Sequence, residues 1–228
     1  MSEEVYFLKE KYVKRTGHMY NVYLKGWLPA DKSASLVDVG CGNGTLIRIL
    51  KRAGYKDIQG VDSNKCKVEI SRKEEARIVE SDAVIFLQDK SESFDLILAM
   101  DLIEHLKKER IRSFLQACFS ALKKNGRLVL QTPNAESPWG MTCVYGDFTH
   151  ETIFSPLWLK ELLELAGFVN IELRPTGPVV HGALSLVRFF VWKIIWFFLA
   201  IWNIAEKGDI GGGIYTRVFM VSGTKETG

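Results

Sequence analysis

Four cysteines among 228 residues are too few and too scattered to staple the chain. Cys41, Cys66, Cys118 and Cys143 form no C-x-x-C pair and stand at no metal-ligand spacing from a histidine. The sequence therefore predicts free thiols in a reducing compartment, with no disulfide framework and no metal centre. A dominant charge is also missing: 30 Lys and Arg against 27 Asp and Glu leave a formal charge of +3. That is too weak for an electrostatic footprint on nucleic acid, so no nucleic-acid partner is expected. Met1-Ser2-Glu3-Glu4 is acidic and no apolar run follows at once, so no signal peptide is expected and the location predicted is cytoplasmic. Repeats and low-complexity tracts are lacking as well. The length suffices for one well-buried domain with additions.

What is present starts with Leu36-Val37-Asp38-Val39-Gly40-Cys41-Gly42-Asn43-Gly44-Thr45-Leu46. Leu36, Val37 and Val39 suit a strand covered on both faces. Gly40, Gly42 and Gly44 allow a sharp turn and close approach of a ligand to the backbone. The helix that follows aims its N-terminal N–H groups into that turn. Such a turn serves nucleotides, dinucleotides and S-adenosylmethionine alike. The final glycine of G-x-G-x-x-G is replaced by Thr45, and there is no Gly-Lys-Ser/Thr ending. Asp38 precedes the turn, where a carboxylate repels a pyrophosphate but suits an ammonium and a sulfonium. Asp62, at the end of the run Ile58-Gln59-Gly60-Val61, is placed to accept hydrogen bonds from a ribose diol. Together these residues favour S-adenosylmethionine.

Val37 to Gly44 resembles motif I of the class I S-adenosylmethionine-dependent methyltransferases. The likeness continues in order through Gly60-Val61-Asp62-Ser63, Glu80-Ser81-Asp82-Ala83, Phe94-Asp95-Leu96-Ile97 and Asp101-Leu102-Ile103-Glu104-His105-Leu106. It ends at Leu122-Lys123-Lys124-Asn125-Gly126-Arg127-Leu128, where Lys-Asn replaces the Pro-Gly of the family's turn. It covers roughly residues 36–175 and implies a cofactor site made of Asp38, Gly40, Cys41, Gly42, Gly44, Asp62, Ser63, Asp82, Ala83, Met100 and Asp101. Related methyltransferases often cap the site with an N-terminal helix that offers an arginine to the methionine carboxylate. Residues 1–30, rich in aromatics from Tyr6 and Phe7 to Trp27, are read as such a lid, with Arg15 as the arginine and Tyr20 behind it. Packing on the sheet edge is the plainer reading of the same segment.

From 36 to 132 strand and helix patterns alternate. The pattern predicts strands near Leu36–Val39, Ile58–Val61, Arg77–Glu80, Phe94–Met100 and Arg127–Thr132. Further strands are expected at Val169–Leu173 and Tyr215–Ser222. The fold class expected is therefore α/β: a doubly wound, seven-stranded, mostly parallel sheet in one domain, 31–228. Between the last two strands lies an insertion, 176–213, holding the most apolar stretch of the chain, Ala183 to Asn203. Arg188 and Lys193 interrupt it, and the chain must return to the same sheet, so a membrane span is not expected. Burial against the domain or in a homodimer is one reading. The other is a helix lying at a membrane interface, with Trp192, Trp196 and Trp202 at headgroup depth, on the inner face of the membrane.

The acceptor side is expected on the loop 133–156, which starts at the ligand-binding rim. Gly146-Asp147-Phe148-Thr149-His150 places a carboxylate three residues before an imidazole, suiting His150 as a general base oriented by Asp147. A metal held by these two is not expected, since no further ligand is evident at metal spacing. His105, His18 and Asn134 are candidate substrate contacts. The blocks Gln131-Thr132-Pro133-Asn134, Asp147-Phe148-Thr149-His150-Glu151 and Ser155-Pro156 also resemble a narrower branch. It comprises methyltransferases of bacterial surface-glycan and lipid-linked saccharide assembly, close to the ubiquinone-pathway O-methyltransferases. That likeness implies an oxygen acceptor, a sugar hydroxyl or phosphate of a glycan or lipid-linked intermediate. A quinone-like phenol, and a membrane-associated binding module without catalysis, are the alternatives.

Overall fold

The computed structural model describes residues 10–74 and 77–226. The first part of the expected lid, with Tyr6 and Phe7, lies outside the described residues. The first half of the chain runs α1 (Glu10–Tyr23), β1 (Ser35–Val39), α2 (Thr45–Arg52), β2 (Asp57–Asp62), α3 (Lys65–Glu74), β3 (Ile78–Glu80), α4 (Ala83–Gln88) and β4 (Phe94–Met100). After a 3-10 turn at Ile103–His105 come α5 (Lys108–Ala121), β5 (Leu122–Pro133), α6 (Met141–Val144), α7 (Pro156–Leu165), β6 (Val169–Pro175), α8 (Ala183–Lys207) and β7 (Val218–Thr224).

The strands form one sheet in the order β3-β2-β1-β4-β5-β7-β6. β7 runs antiparallel to both its neighbours, and the other strand pairs are parallel. Alternate side chains enter two separate cores. Val37, Val39, Ile97, Ala99, Leu128 and Leu130 pack toward α4, α5 and α7. Leu36, Leu96, Leu98 and Val129 pack toward α1, α2 and α3. This two-sided burial explains the near-continuous apolar strands in the sequence. The period of two also turns Asp38 to the α1 and α2 side. α1 and the turn after it are anchored in that core through Tyr23, Leu24 and Trp27. Arg174 of β6 stacks on Trp27 at 3.8 Å and donates to the Tyr23 and Lys25 carbonyls.

Two strands differ from expectation. β5 begins at Leu122, before a register shift between Phe94 and Leu96 that absorbs Asn125 (φ 61°) as a bulge. The Lys-Asn departure from the family pattern thus became an irregularity within a strand. β7 begins at Val218 and not at Tyr215. The Tyr215 and Thr216 carbonyls are taken by Ser137 Oγ and Asn134 Nδ2, so no ladder forms there.

The 25-residue α8 is about 37 Å long. By length and composition alone it could cross a membrane, yet one side of it is tied to the domain. Ser185 and Ala200 are buried, Trp196 Nε1 donates to the Gly213 carbonyl at 2.8 Å, and Trp192 packs on Gly177. The opposite side leaves Leu184, Val187, Phe190, Ile194, Phe198 and Trp202 exposed.

Candidate active site

Parallel strands place their carboxyl ends on one rim, and the candidate residues gather there. Gly40, Gly42 and Gly44 all adopt positive φ (74°, 53° and 75°), which L side chains resist. At Gly42 nothing lies within 4 Å of where a Cβ would stand, so that glycine opens on ligand space. Asp62 holds the turn from β2, since its Oδ2 accepts from Gly42 N at 2.8 Å and its Oδ1 from Asn64 N at 2.7 Å. Each oxygen keeps a lone pair for a ribose hydroxyl. Ser71, on α3 and unforeseen in the sequence, donates to the Gly42 carbonyl at 2.7 Å. Ser63 is exposed beside this turn, and the Cys41 thiol is buried, its pKa raised by burial and by Asp38 and Asp62. The Cys41 thiol therefore stays neutral and unreactive.

Asp38 is only 3% exposed. Burial, with Asp62 nearby, pushes its pKa up to about 7. Burial also raises the Asp101 pKa, opposed by a hydrogen bond from Gln131 and by His105 and His150. Asp101 holds a positive φ of 53° after Met100, and Gln131 Nε2 donates to its Oδ2 at 2.9 Å. Three carboxylates around one glycine turn create a negative site whose natural occupant carries positive charge. The donor set thus fits S-adenosylmethionine and disfavours a pyrophosphate.

A model of the methyltransferase domain matches residues 17–173 of the chain. The chain belongs to the methyltransferase domain family. The match and the rim geometry together make it a class I S-adenosylmethionine-dependent type. A ubiquinone biosynthesis O-methyltransferase from Bartonella quintana is 28% identical over 160 residues, 62% of each chain. The chain thus spans under two thirds of the length of that relative. An Archaeoglobus fulgidus SAM-dependent methyltransferase superposes with a TM-score of 0.68 at 25% identity, covering 98% of this chain and 97% of that one. Haemonchus contortus phosphoethanolamine N-methyltransferase 2, solved with S-adenosyl-L-methionine, shares the fold at a TM-score of 0.60 and 14% identity, over 100% of this chain and 60% of that one.

Other expected site residues carry partners that the motif alone does not show. Asp82 caps α4, accepting from Val84 N and Ile85 N, and also receives both Arg110 nitrogens at 2.7 and 2.9 Å. Arg110 accordingly holds the Asp82 pKa low. The Oδ1 atom is saturated, which leaves Oδ2 and the neighbouring Ala83 backbone as the polar groups this turn could offer to a ligand. Arg15 lies on the outer side of α1, along a large cavity. Tyr20 is the α1 residue turned to the cofactor strands, bonded to Gln131, with its pKa raised by burial and by Asp101 and Asp38.

Asn134 is the clearest correction among the substrate candidates. It is fully buried, and its amide donates to the Ile214 and Thr216 carbonyls at 2.7 and 2.9 Å while its Oδ1 accepts from Glu136 N. It clamps the end of β5 to the segment before β7 and has no donor left for a substrate.

Asp147 does not orient His150 as expected. Its Oδ1 accepts from the Thr149 hydroxyl at 2.6 Å and from Thr149 N at 2.9 Å. His150 Nδ1 instead meets the Val144 carbonyl of α6 at 2.9 Å. The loop is stapled to the turn after β4, with Glu151 N and Thr152 N both donating to the Glu104 carbonyl. That staple brings His150 against His105, their rings 4.8 Å apart. Glu104 lies beside them, 2% exposed, its pKa pushed up to about 8 by burial and by Asp101. Sequence spacing offered no second ligand near His150, because the partners stand 45 residues earlier in the chain.

The cavity, about 860 Å³, opens between α1, α6, α8 and the segment entering β7. Arg15, Arg188 and Arg217 line it with Trp192 and Trp196, and no Asp or Glu is among its described lining residues. His18 and His181 meet edge to face at its wall, 6.1 Å apart. The cavity shares α6 with the histidine pair, since Cys143 lines it while the next carbonyl, Val144, holds His150.

Proposed function

We propose that the chain transfers the methyl group of S-adenosylmethionine to an oxygen of a lipid-linked acceptor, a sugar hydroxyl or phosphate. The observation that carries this reading is the cationic, acid-free cavity beneath the apolar α8. Arginines suit an anionic headgroup, bound through paired N–H donors. The apolar outer side of α8 suits the lipid in which such an acceptor resides, with Trp202 at headgroup depth, whereas Trp192 and Trp196, expected there, turn to the cavity instead. Phe148, 97% exposed on the loop that carries His150, and Tyr145 add apolar surface near the same rim. On this reading the protein works in the cytoplasm at the inner face of the membrane. The cofactor supplies the electrophile. The protein aligns acceptor and sulfonium, and the group of Glu104, His105 and His150 meets the acceptor oxygen.

A second reading, methylation of a quinone-like phenol, is favoured by the similarity to a ubiquinone biosynthesis O-methyltransferase. The two differ in what the arginines do, because a neutral phenol has no use for them. Methyl transfer from labelled cofactor to glycolipid extracts, and to a prenylated catechol, separates them. Arg188→Gln with Arg217→Gln abolishes transfer to the anionic acceptor under the first reading and leaves the catechol reaction unchanged under the second. Cofactor binding with no transfer to either would mean a binding module without catalysis.

A further inference from the structure

We propose that Glu104, His105 and His150 bind a divalent cation at the acceptor end of the site. One ligating atom from each lies within 4.8 Å of the others, a little beyond the roughly 4.2 Å that separates opposite donors around an ion with bonds of about 2.1 Å. The hydrogen bonds around them decide which atoms are left over. Glu104 Oε2 accepts from the Thr132 hydroxyl at 3.0 Å, whereas its Oε1 is buried with no donor. His150 Nδ1 faces the Val144 carbonyl, which can only accept, so the ring proton sits on Nδ1 and Nε2 keeps its lone pair. His105 Nδ1 lies 3.0 Å from the Thr149 hydroxyl and 3.3 Å from the Thr149 carbonyl. That hydroxyl spends its own hydrogen on Asp147, so His105 too is the donor at Nδ1 and is left with an acceptor at Nε2.

With Glu104 ionised, three acceptors thus converge with no donor among them. A buried carboxylate oxygen without a partner is destabilising, and one cation satisfies all three at once. The outer contacts have the form that orients metal-binding imidazoles, each ring holding a carbonyl or hydroxyl through its far nitrogen. Val144, Thr149 and Asp147 are then positioning residues, and Asp147 acts on His105 through Thr149. Two imidazoles and one carboxylate leave coordination positions open, as in catalytic sites.

The chemical use of the ion rests on the oxygen transfer proposed above; its binding does not. The acceptor hydroxyl oxygen binds the cation and its proton leaves to solvent. That oxygen forms the new bond to the methyl carbon, the carbon–sulfur bond breaks, and sulfur keeps the electron pair as S-adenosylhomocysteine. His150 is then a ligand in place of a free base.

The test titrates Mn2+ and, separately, Zn2+ into the full-length, metal-free chain holding S-adenosylhomocysteine, followed by calorimetry and by the Mn2+ paramagnetic signal. One ion per chain is expected. Glu104→Gln and His150→Gln each weaken it by about a hundredfold, and Thr149→Val by about tenfold, with S-adenosylhomocysteine binding retained in all three. Absence of binding, or binding unchanged by these substitutions, overturns the proposal and leaves a group that shares protons alone. If Glu104→Gln fails to fold, His105→Gln, at a less buried position, gives the same reading. Metal bound at this site without transfer to any acceptor would overturn the proposed function and spare the site; transfer by a metal-free chain in a chelating buffer would overturn the ion's part in the chemistry and spare the proposed function.

Discussion

Replacing Asp38 with asparagine keeps the shape of the side chain and removes its charge. Asp38 sits in mid-sheet, paired in register with Gly60 and Leu98, and burial with Asp62 raises its pKa from 3.8 to about 7. A carboxyl with a raised folded-state pKa keeps its proton longer when folded than when unfolded. Its contribution is therefore most favourable at low pH, falls as pH rises from about 4 to about 7, and is level beyond. A shift of this size corresponds to at most about 4 kcal/mol in total, about 3 of it between pH 5 and pH 8. The Asp38→Asn chain has no such group and escapes that loss. Without ligand it unfolds at pH 8 several degrees above the wild type, at about 2–4 °C per kcal/mol for a domain of this size, and the gap narrows at pH 5. Cofactor binding moves the opposite way. The positive ligand stabilises the ionised carboxylate, so the substitution weakens S-adenosylmethionine by about tenfold or more. Calorimetric unfolding at the two pH values and isothermal titration at pH 8 measure both. A variant no more stable than wild type at pH 8, or one that binds the cofactor equally well, refutes the assignment of Asp38 as the buried charge held for the ligand.

Gly60→Ala places a Cβ 2.6 Å from Ile47 Cδ1 and Ile78 Cδ1 and 2.9 Å from Cys41 Sγ, so denaturant unfolding should show a loss of about 1–3 kcal/mol from overpacking. Asp82→Ala removes a helix cap with two backbone N–H bonds and is expected to cost about 1 kcal/mol; Arg110→Ala breaks only the partly exposed ion pair and should cost under about 1 kcal/mol in the same assay. Flotation with anionic liposomes should fall when Phe198 and Trp202, on the exposed side of α8, are replaced together by alanine. Equal flotation would sink the membrane reading and, with a concentration-dependent sedimentation value, move α8 to a homodimer interface.

The elements differ in how far their local sequence specified them. Ser155-Pro156 carries a local signal for the start of α7, a cap followed by a first-turn proline, and Ser155 Oγ accepts from Trp158 N. The strands β1 and β4 were visible because both faces are buried. β7 was displaced by two side chains that reach its leading carbonyls from the β5 loop, a contact with no local signature.

The sequence by itself determined the glycine turn, the alternation of strand and helix, and the carboxylates Asp38, Asp62 and Asp101 at strand ends. These follow from short-range rules, the period of a strand and the backbone freedom of glycine, and every such residue is near its neighbours in the chain. Only the tertiary structure decided who partners whom. Arg110 reaches Asp82 across 28 residues, Asn134 spends its amide on carbonyls 80 and 82 residues away, and His105 meets Thr149 across 44. A polar side chain's role depends on which of its donors and acceptors remain free after folding, and that is settled by packing at long range. So His150 could be singled out from its motif, while its partner was misassigned to Asp147 and its true companions, Glu104 and His105, became visible only when the loop was stapled beside the turn after β4.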